Sequence, residues 1–581
     1  MAPRNALVAL SLVAFCGFAL TSASKSWWQT ASFYQIYPRS FKDSDGDGVG
    51  DLNGVTSMLP YLKEIGIEGT WLSPFLKSPM VDFGYDITNF TEVDPLFGTM
   101  EDLEGLVAKA NELNIKIILD FVPNHSSDES EWFIKSAAND TEYKDYFVWH
   151  PGKVVDGVRQ APNNWISMFS GSAWTFHEGR QEYYFHQFDK KQPDFNFRNP
   201  KVREEMKNIL RFWMDKGIYG FRIDALPHLF EVEADANGDI PDEPFSGYST
   251  DPEDYYSLNH IYTVNQPETV HVLYEWRQIL KDYQVEHGGE ERILMAETWS
   301  AITSVMEYYG NETADGSQIP FNFMMISGLR KESDANHYAS VINTWFEYMP
   351  VGKTANWVIG NHDQSRVGSR FGEERIDILN VLLLTLPGCS ITFNGEEIGM
   401  TDVWISWQDT VDPQACNSRE EGYEGRTRDP SRTPFQWSDA ENAGFTLGNK
   451  TWLPLSTTYK RHNVKRERGI ALSHLNIFKK MQEFRRLSTF QDGDTEVIAL
   501  NDHVLAVKRS LSGDFTYITL LNIFGQLEHV NLHEHFADLP AVFKYALITD
   551  RSIKKQGDEV SASNVSLMPY EAIVLRSTVQ V

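Results

Sequence analysis

The sequence predicts an α/β fold: a (β/α)8 TIM barrel with an inserted lobe after strand 3 and a C-terminal antiparallel β-sandwich domain. Three observations predict it. Short apolar β-type runs alternate with helical patterns along most of the chain, the mark of a parallel sheet. Eight such runs can be found, the number that closes a barrel. Beyond residue 487 the helical periodicity stops and short, turn-separated apolar runs take over, as in an all-β module.

Residues 1–23 read as a signal peptide. Arg4 is followed by an apolar stretch over 7–20 and then by Thr21-Ser22-Ala23-Ser24, with cleavage after Ala23 or Ser24. The apolar stretch is shorter than the roughly 20 residues of a membrane helix, so a secreted chain is expected and an uncleaved anchor is the alternative. No later stretch reaches about 18 apolar residues, so no membrane span is expected in the mature chain. Residues 24–124 form the first part of the barrel, with strands at 33–37, 70–72 and 116–122. Residues 125–196 are rich in Trp, Phe, Asn and Gly and poor in helical periodicity, which fits the inserted lobe. Residues 197–495 resume the barrel after a helix at 202–216, with strands at 220–224, 293–297, 321–326, 356–359 and 390–393; residues 379–386 read as a buried barrel helix. Residues 496–581 carry the β runs 497–500, 504–507, 516–521 and 572–575.

Composition narrows the partners. The 581 residues hold 52 Lys and Arg against 81 Asp and Glu, a formal charge of −29. Such a surface repels nucleic-acid phosphates and anionic lipid, so neither is an expected partner; protein partners stay open. Most of those acids read as solvating charge. Cys16 falls in the leader, which leaves Cys389 and Cys416. In an oxidising compartment the pair reads as one disulfide, with two free thiols as the alternative. Neither has metal-ligand spacing to Cys or His, which argues against zinc. Glycan acceptor patterns stand at Asn89, Asn139, Asn311, Asn449 and Asn564, and at Asn124, where the expected active site makes a glycan unsuitable.

Several strands end in charged residues. The third ends at Asp120 with Asn124-His125 beyond, the fourth in Arg222-Ile223-Asp224, the fifth at Glu297, the seventh in Asn361-His362-Asp363. A single terminal acid is ordinarily a helix cap. In a barrel, however, all strand C-termini open on one face, so Asp224, Glu297 and Asp363 converge there with Arg222 and two His. Glycosidic cleavage requires such a set: an acid for the leaving oxygen, a carboxylate facing the anomeric carbon, and negative charge around an oxocarbenium-like transition state. A second group, Asp43, Asp45, Asp47 and Asp51 around Gly46 and Gly48, reads as a calcium loop, with an acidic solvated turn as the alternative. It matches the first positions of an EF-hand, but Gly54 stands where that motif has Glu.

These segments resemble the α-amylase superfamily of retaining glycoside hydrolases (family 13). GFRIDA at 220–225, MAETW at 295–299, NHD at 361–363 and DFVPNH at 120–125 are similar to its sequence regions. QPDFN at 192–196, YQIYPRSF at 34–41 and RTPFQW at 432–437 are similar to the oligo-1,6-glucosidase and α-glucosidase branch, and within it to secreted insect maltases. The resemblance implies Asp224 as nucleophile, Glu297 as acid and base, and Asp363 as the group that holds the distorted sugar. It implies that Arg222 orients Asp224, that His125 and His362 bind sugar hydroxyls, that Tyr85 stacks on glucose, and that Asp86 with Arg432 closes the pocket. It also implies structural Ca2+ in the Asp43 loop, with the Val49 carbonyl among its ligands. Ala225, smaller than the Val of α-1,6-specific members, implies α-1,4 substrates: maltose, short malto-oligosaccharides and sucrose. The rival readings are transglucosylation or sucrose isomerisation on the same scaffold, and a non-catalytic receptor or transporter-associated ectodomain.

Overall fold

The computed structural model describes residues 25–580; the expected leader over 1–23 and Cys16 lie outside them. Eight parallel strands form one sheet: β1 (Ser32–Ile36), β2 (Gly69–Leu72), β3 (Lys116–Phe121), β4 (Gly220–Ile223), β5 (Ile293–Ala296), β6 (Ile319–Pro320), β7 (Asn356–Val358) and β8 (Cys389–Phe393). Their order is β6-β5-β4-β3-β2-β1-β8-β7. Every residue of these strands is buried because both faces are covered, which is why apolar side chains dominate them. Phe33, Trp71, Ile118, Met295 and Ile391 pack together inside the barrel. Their neighbours Tyr34, Leu72, Leu119, Leu294 and Trp357 pack outward against the helices.

The sixth strand differs from expectation. It is Ile319–Pro320, and the apolar run predicted as a strand over 321–326 turns instead into the short helix Met324–Ser327. The seam between β6 and β7 has no strand pairing. Asn356 bridges it: its Nδ2 donates to Pro320 O at 2.7 Å, and its Oδ1 accepts from Asn322 N at 2.8 Å. A side-chain amide therefore does the work of a peptide ladder where proline has no N–H to offer.

Helices Leu52–Glu64, Met100–Glu112, Pro200–Asp215, Glu268–His287, Ala335–Tyr348 and Ile376–Thr385 flank the strands. Ile376–Thr385 is buried at every residue because the C-terminal domain covers its outer side. That domain is a six-stranded antiparallel sheet beginning at Asp494, with a two-stranded ladder of Glu528–Val530 and Val565–Leu567 beyond it. Alternation divides its side chains: Leu505, Val507 and Val574 face the barrel, whereas Val504, Ala506 and Ile573 face the small ladder. The expected sandwich is thus lopsided, one broad sheet between the barrel helices and a two-stranded layer.

The lobe after β3 carries a three-stranded antiparallel sheet (Trp149–His150, Glu182–Phe185, Trp174–His177) and its own core around Trp165, Trp174 and Phe185. A second excursion, absent from the sequence reading, separates β4 from the helix Glu268–His287. It lays Val232, Ile240 and Tyr262 against the lobe core.

The expected disulfide does not form; both thiols are free. Cys389 opens β8 at the barrel's N-terminal end, its Sγ 3.6 Å from Ala355 O. Cys416 ends the helix Pro413–Cys416 in the loop beyond the C-terminal end of the same strand, its Sγ 3.7 Å from Thr410 O. A strand's length separates them, which a disulfide cannot span. Burial also pushes the Cys389 thiol up to about 12, so it stays protonated and inert.

Candidate active site

Strand parity aims the site. Ile118 on β3 and Met295 on β5 face the barrel interior, so Asp120 and Glu297, two residues on, point the same way at its C-terminal mouth. Register sets Arg222 beside Asp120 and Met295. Gly220, just below, leaves room for the neighbouring strand: a Cβ there would lie 2.5 Å from Ile293 O.

Arg222, only 2% exposed, is the hub. Its Nη1 lies 2.9 Å from Asp120 Oδ1 and 2.5 Å from Asp224 Oδ1; its Nη2 lies 2.9 Å from Glu297 Oε2. Burial raises the Asp120 carboxyl to about 6, with Arg222 opposing the shift. Burial likewise raises Asp224 above the usual carboxylate range, and the guanidinium at hydrogen-bond distance is the contact that favours its anion. Ala225 follows with φ +47°, a left-handed conformation that alanine adopts only when its surroundings enforce it. The turn aims the Ala225 N–H at Glu297 Oε2, 3.0 Å away. The other oxygen, Oε1, accepts from Trp299 Nε1 at 3.1 Å.

His362 sits between aromatic partners, stacked with Tyr85 and Tyr37 at centroid distances of 5.6 Å each. Gln35 Nε2 donates to its Nδ1 at 2.8 Å, which leaves the ring proton on Nε2, 2.7 Å from Tyr85 Oη. Tyr85 in turn donates to Asp120 at 3.2 Å. Burial holds His362 far below its ordinary pKa, so the relay is neutral. His125 is also neutral: burial lowers it to about 3, and it meets Asn124 Oδ1 at 2.9 Å and Gln192 Nε2 at 3.1 Å. Burial disfavours charge on Asp363 too, but the guanidinium groups of Arg432 and Arg428 outweigh it and hold that carboxyl below the usual range.

A cavity of about 390 Å³ joins Tyr85, His125, Asp224, Glu297, His362 and Asp363. Asp86 and Arg432 do not line it. Asp86 is fully buried and accepts from Ser78 Oγ, Val81 N and Asp82 N at 2.9–3.0 Å, so it braces the loop that presents Asp82. Arg432 lies behind Asp363, donating to it and to His362 O at 2.8 Å. The groups that close the cavity are Asp82 and Arg428, paired at 2.8 Å, with Asp412 holding Arg428 from behind at 2.6 Å. Burial raises Asp82 to about 6 against the pull of Arg428. The sequence reading missed both. The available signals were an acid three residues before Tyr85 and an Arg-Asp pair four residues before the RTPFQW segment. Phe169 and Phe188 from the lobe and Tyr255 from the second excursion complete the walls.

In the Asp43 loop, carboxylate oxygens of Asp43, Asp45 and Asp51 lie within 4.8 Å of one another. Asp47 stands apart, its Oδ1 accepting from Val49 N at 2.7 Å. Asp51 also caps the helix Leu52–Glu64 through Gly54 N at 2.7 Å. This all-oxygen donor set suits a hard cation such as Ca2+. Among the acceptor patterns, Asn139, Asn311, Asn449 and Asn564 are exposed, Asn89 is half-buried, and Asn124 is buried with Nδ2 donating to His228 O at 2.7 Å.

A carboxylate pair bridged by one arginine at the mouth of a (β/α)8 barrel, with a third carboxylate facing it, is the equipment of a glycoside hydrolase. Comparison with known proteins agrees. The family described as "Alpha amylase, catalytic domain" matches residues 35–493, and the chain belongs to that family. The chain is 48% identical to "Maltase A1" of Drosophila melanogaster over 99% of this chain and all of that one. It is 46% identical to "Salivary alpha-glucosidase" of Aedes aegypti over 93% and 91%. The crystal structure of the trehalulose synthase MutB of Pseudomonas mesoacidophila superposes with a TM-score of 0.81 at 30% identity, covering 95% of this chain and all of that one.

Proposed function

We propose that this chain is a secreted, retaining, exo-acting α-glucosidase that releases terminal α-1,4-linked glucose from maltose and short malto-oligosaccharides, with sucrose as a further substrate. One observation carries the reading. Arg222 spans Asp224 and Glu297 on a pocket whose far end is closed by the Asp82–Arg428–Asp363 ion pairs. A single guanidinium touching both carboxylates keeps them near neighbours. That suits the spacing of roughly 5–5.5 Å used in retaining chemistry better than the roughly 6.5–9.5 Å of inverting enzymes. Asp224 attacks the anomeric carbon and forms a covalent glucosyl intermediate. Glu297 protonates the leaving oxygen, then takes a proton from the incoming water. Asp363 binds sugar hydroxyls as charge develops on the ring. The closed end admits a chain terminus and excludes the interior of a polymer.

Secretion fits the relative named as salivary. Structural Ca2+ would be held by Asp43, Asp45 and Asp51, where it would neutralise a concentrated negative charge; exhaustive chelation should then lower the thermal midpoint. Glycans would occupy the exposed Asn139, Asn311, Asn449 and Asn564.

The purified protein is to be assayed on maltose, isomaltose, sucrose, trehalose and starch. Maltose cleavage with starch left intact supports the reading; isomaltose preference or starch attack refutes it. The likeness to a trehalulose synthase favours one second reading, in which sugar instead of water intercepts the intermediate. Product analysis at high sugar concentration separates the two.

A further inference from the structure

Gln35 is fully buried in β1 and does not line the 390 Å³ pocket, yet its amide reaches the site from behind. Phe33 faces the barrel interior, so Gln35, two residues on, does too. Its backbone is held by Asn394, whose N–H donates to Gln35 O at 3.0 Å. Its Nε2 lies 2.8 Å from His362 Nδ1 and 3.2 Å from Ser73 Oγ, so both amide hydrogens have a partner. Its Oε1 is buried with no partner among the described residues, so this amide is placed for its nitrogen.

Asp120 fixes the direction of the contacts that follow. Burial raises its carboxyl to about 6, so near neutral pH it is ionised and can only accept. Tyr85 Oη therefore donates to it at 3.2 Å, which spends the one phenol proton. The 2.7 Å contact between Tyr85 Oη and His362 Nε2 must then be a donation from the ring. Burial, with Arg432, Arg222 and Arg428 nearby, outweighs the pull of Asp363 and keeps that ring neutral. A neutral ring protonated at Nε2 has a bare Nδ1, which needs a donor. The Gln35 nitrogen supplies it; the amide turned the other way would set an oxygen against that lone pair.

We propose that Gln35 is a positioning residue of this site: its amide pins the His362 ring with the proton on Nε2, so that one directed chain, Gln35 to His362 to Tyr85 to Asp120, ends on the carboxylate that Arg222 also holds. The assignment rests on the α-glucosidase reading above. Arg222 Nη1 donates to both Asp120 oxygens, at 2.9 and 3.2 Å, and the same nitrogen meets Asp224. The seat of Asp120 therefore sets where the guanidinium stands between nucleophile and acid. Gln35 touches neither sugar nor the reacting carboxylates, so it acts on turnover through this geometry.

The full-length enzyme with nitrogen-15 in its histidines reports the tautomer by NMR, the His362 signal being the one lost in His362→Gln. The wild type should carry hydrogen on Nε2 and none on Nδ1. A proton on Nδ1 overturns the proposal, and that result does not depend on any Gln35 variant folding. In Gln35→Glu, a carboxylate of the same shape draws the proton to Nδ1. Turnover of maltose should fall about 10-fold, the worth of one misdirected hydrogen bond, with KM changed less. Gln35→Met, of similar length but with no donor, should lose kcat to a similar extent, and thermal melting checks that both variants are folded. An unchanged kcat in both folded variants, or a rise in KM alone, overturns the role of Gln35. A wild-type enzyme that cleaves no maltose overturns the α-glucosidase reading instead, so the two failures are distinguishable.

Discussion

Two groups of buried acids in this chain solve the same problem differently. At the barrel mouth, Asp363 is kept anionic by side chains, with Arg432 at 2.8 Å and Arg428 at 3.4 Å. In the loop before the first helix, Asp43 is kept anionic by the Thr446 hydroxyl and the backbone N–H groups of Asp45, Gly46 and Gly48, which outweigh its burial. Backbone donors are fixed and cannot be withdrawn, so the loop suits a permanent structural role. Arginines bring net charge and can exchange partners, so the mouth can respond when a sugar enters and charge appears on it.

The sharpest break of that contrast is Glu297→Gln, which removes the proton donor while Gln still accepts from Arg222. Turnover of maltose should fall about 10³-fold or more with the fold retained, as read by steady-state kinetics and circular dichroism. Arg428→Lys keeps the charge but loses the fork shared between Asp82 and Asp412; kcat/KM on maltose should fall on the order of 10²-fold. The next effect is on pH. Burial raises the Asp82 carboxyl to about 6, and its protonation below that pH breaks the pair with Arg428. The acid limb of kcat/KM should therefore be steeper in the wild type than in Asp82→Asn by one proton; equal slopes would contradict the assignment. The smallest effect belongs to the loop. Asp51→Ala removes a helix cap worth about 1 kcal/mol and a carboxylate of the cluster. Its thermal midpoint should drop and become insensitive to chelator, with kcat on maltose unchanged.

Much of this was legible in sequence, for identifiable reasons. Barrel strands buried on both faces leave mainly apolar runs, and the convergence of strand C-termini on one face of a barrel points to Asp224, Glu297 and Asp363 as one site with Arg222. The sixth strand was misplaced because 321–326 is apolar at every position but Asn322, and apolarity without alternation does not distinguish a strand from a turn and short helix. The sequence points to Asp86 and Arg432 for the pocket end, whereas Asp82 and Arg428 line it. Each true partner lies four residues from the assigned one, and only the chain's path decides which carboxylate braces a loop and which faces the sugar. The disulfide failed for a related reason: two cysteines count as a pair in composition, yet the strand between them holds them apart.

The ring of eight strands is fastened at one point by the amide of Asn356. A ring of peptide ladders opens only by breaking many bonds together; a clasp made of one side chain opens by rotating a single residue. The β6–β7 seam is therefore where the barrel breathes most cheaply, and amide exchange at Asn322 should outpace that of the paired strands. Phe321 and Phe323 lie just beyond this clasp and line a cavity of about 400 Å³. The give of the barrel is thus concentrated at this seam, while the closed end of the pocket stays clamped by ion pairs.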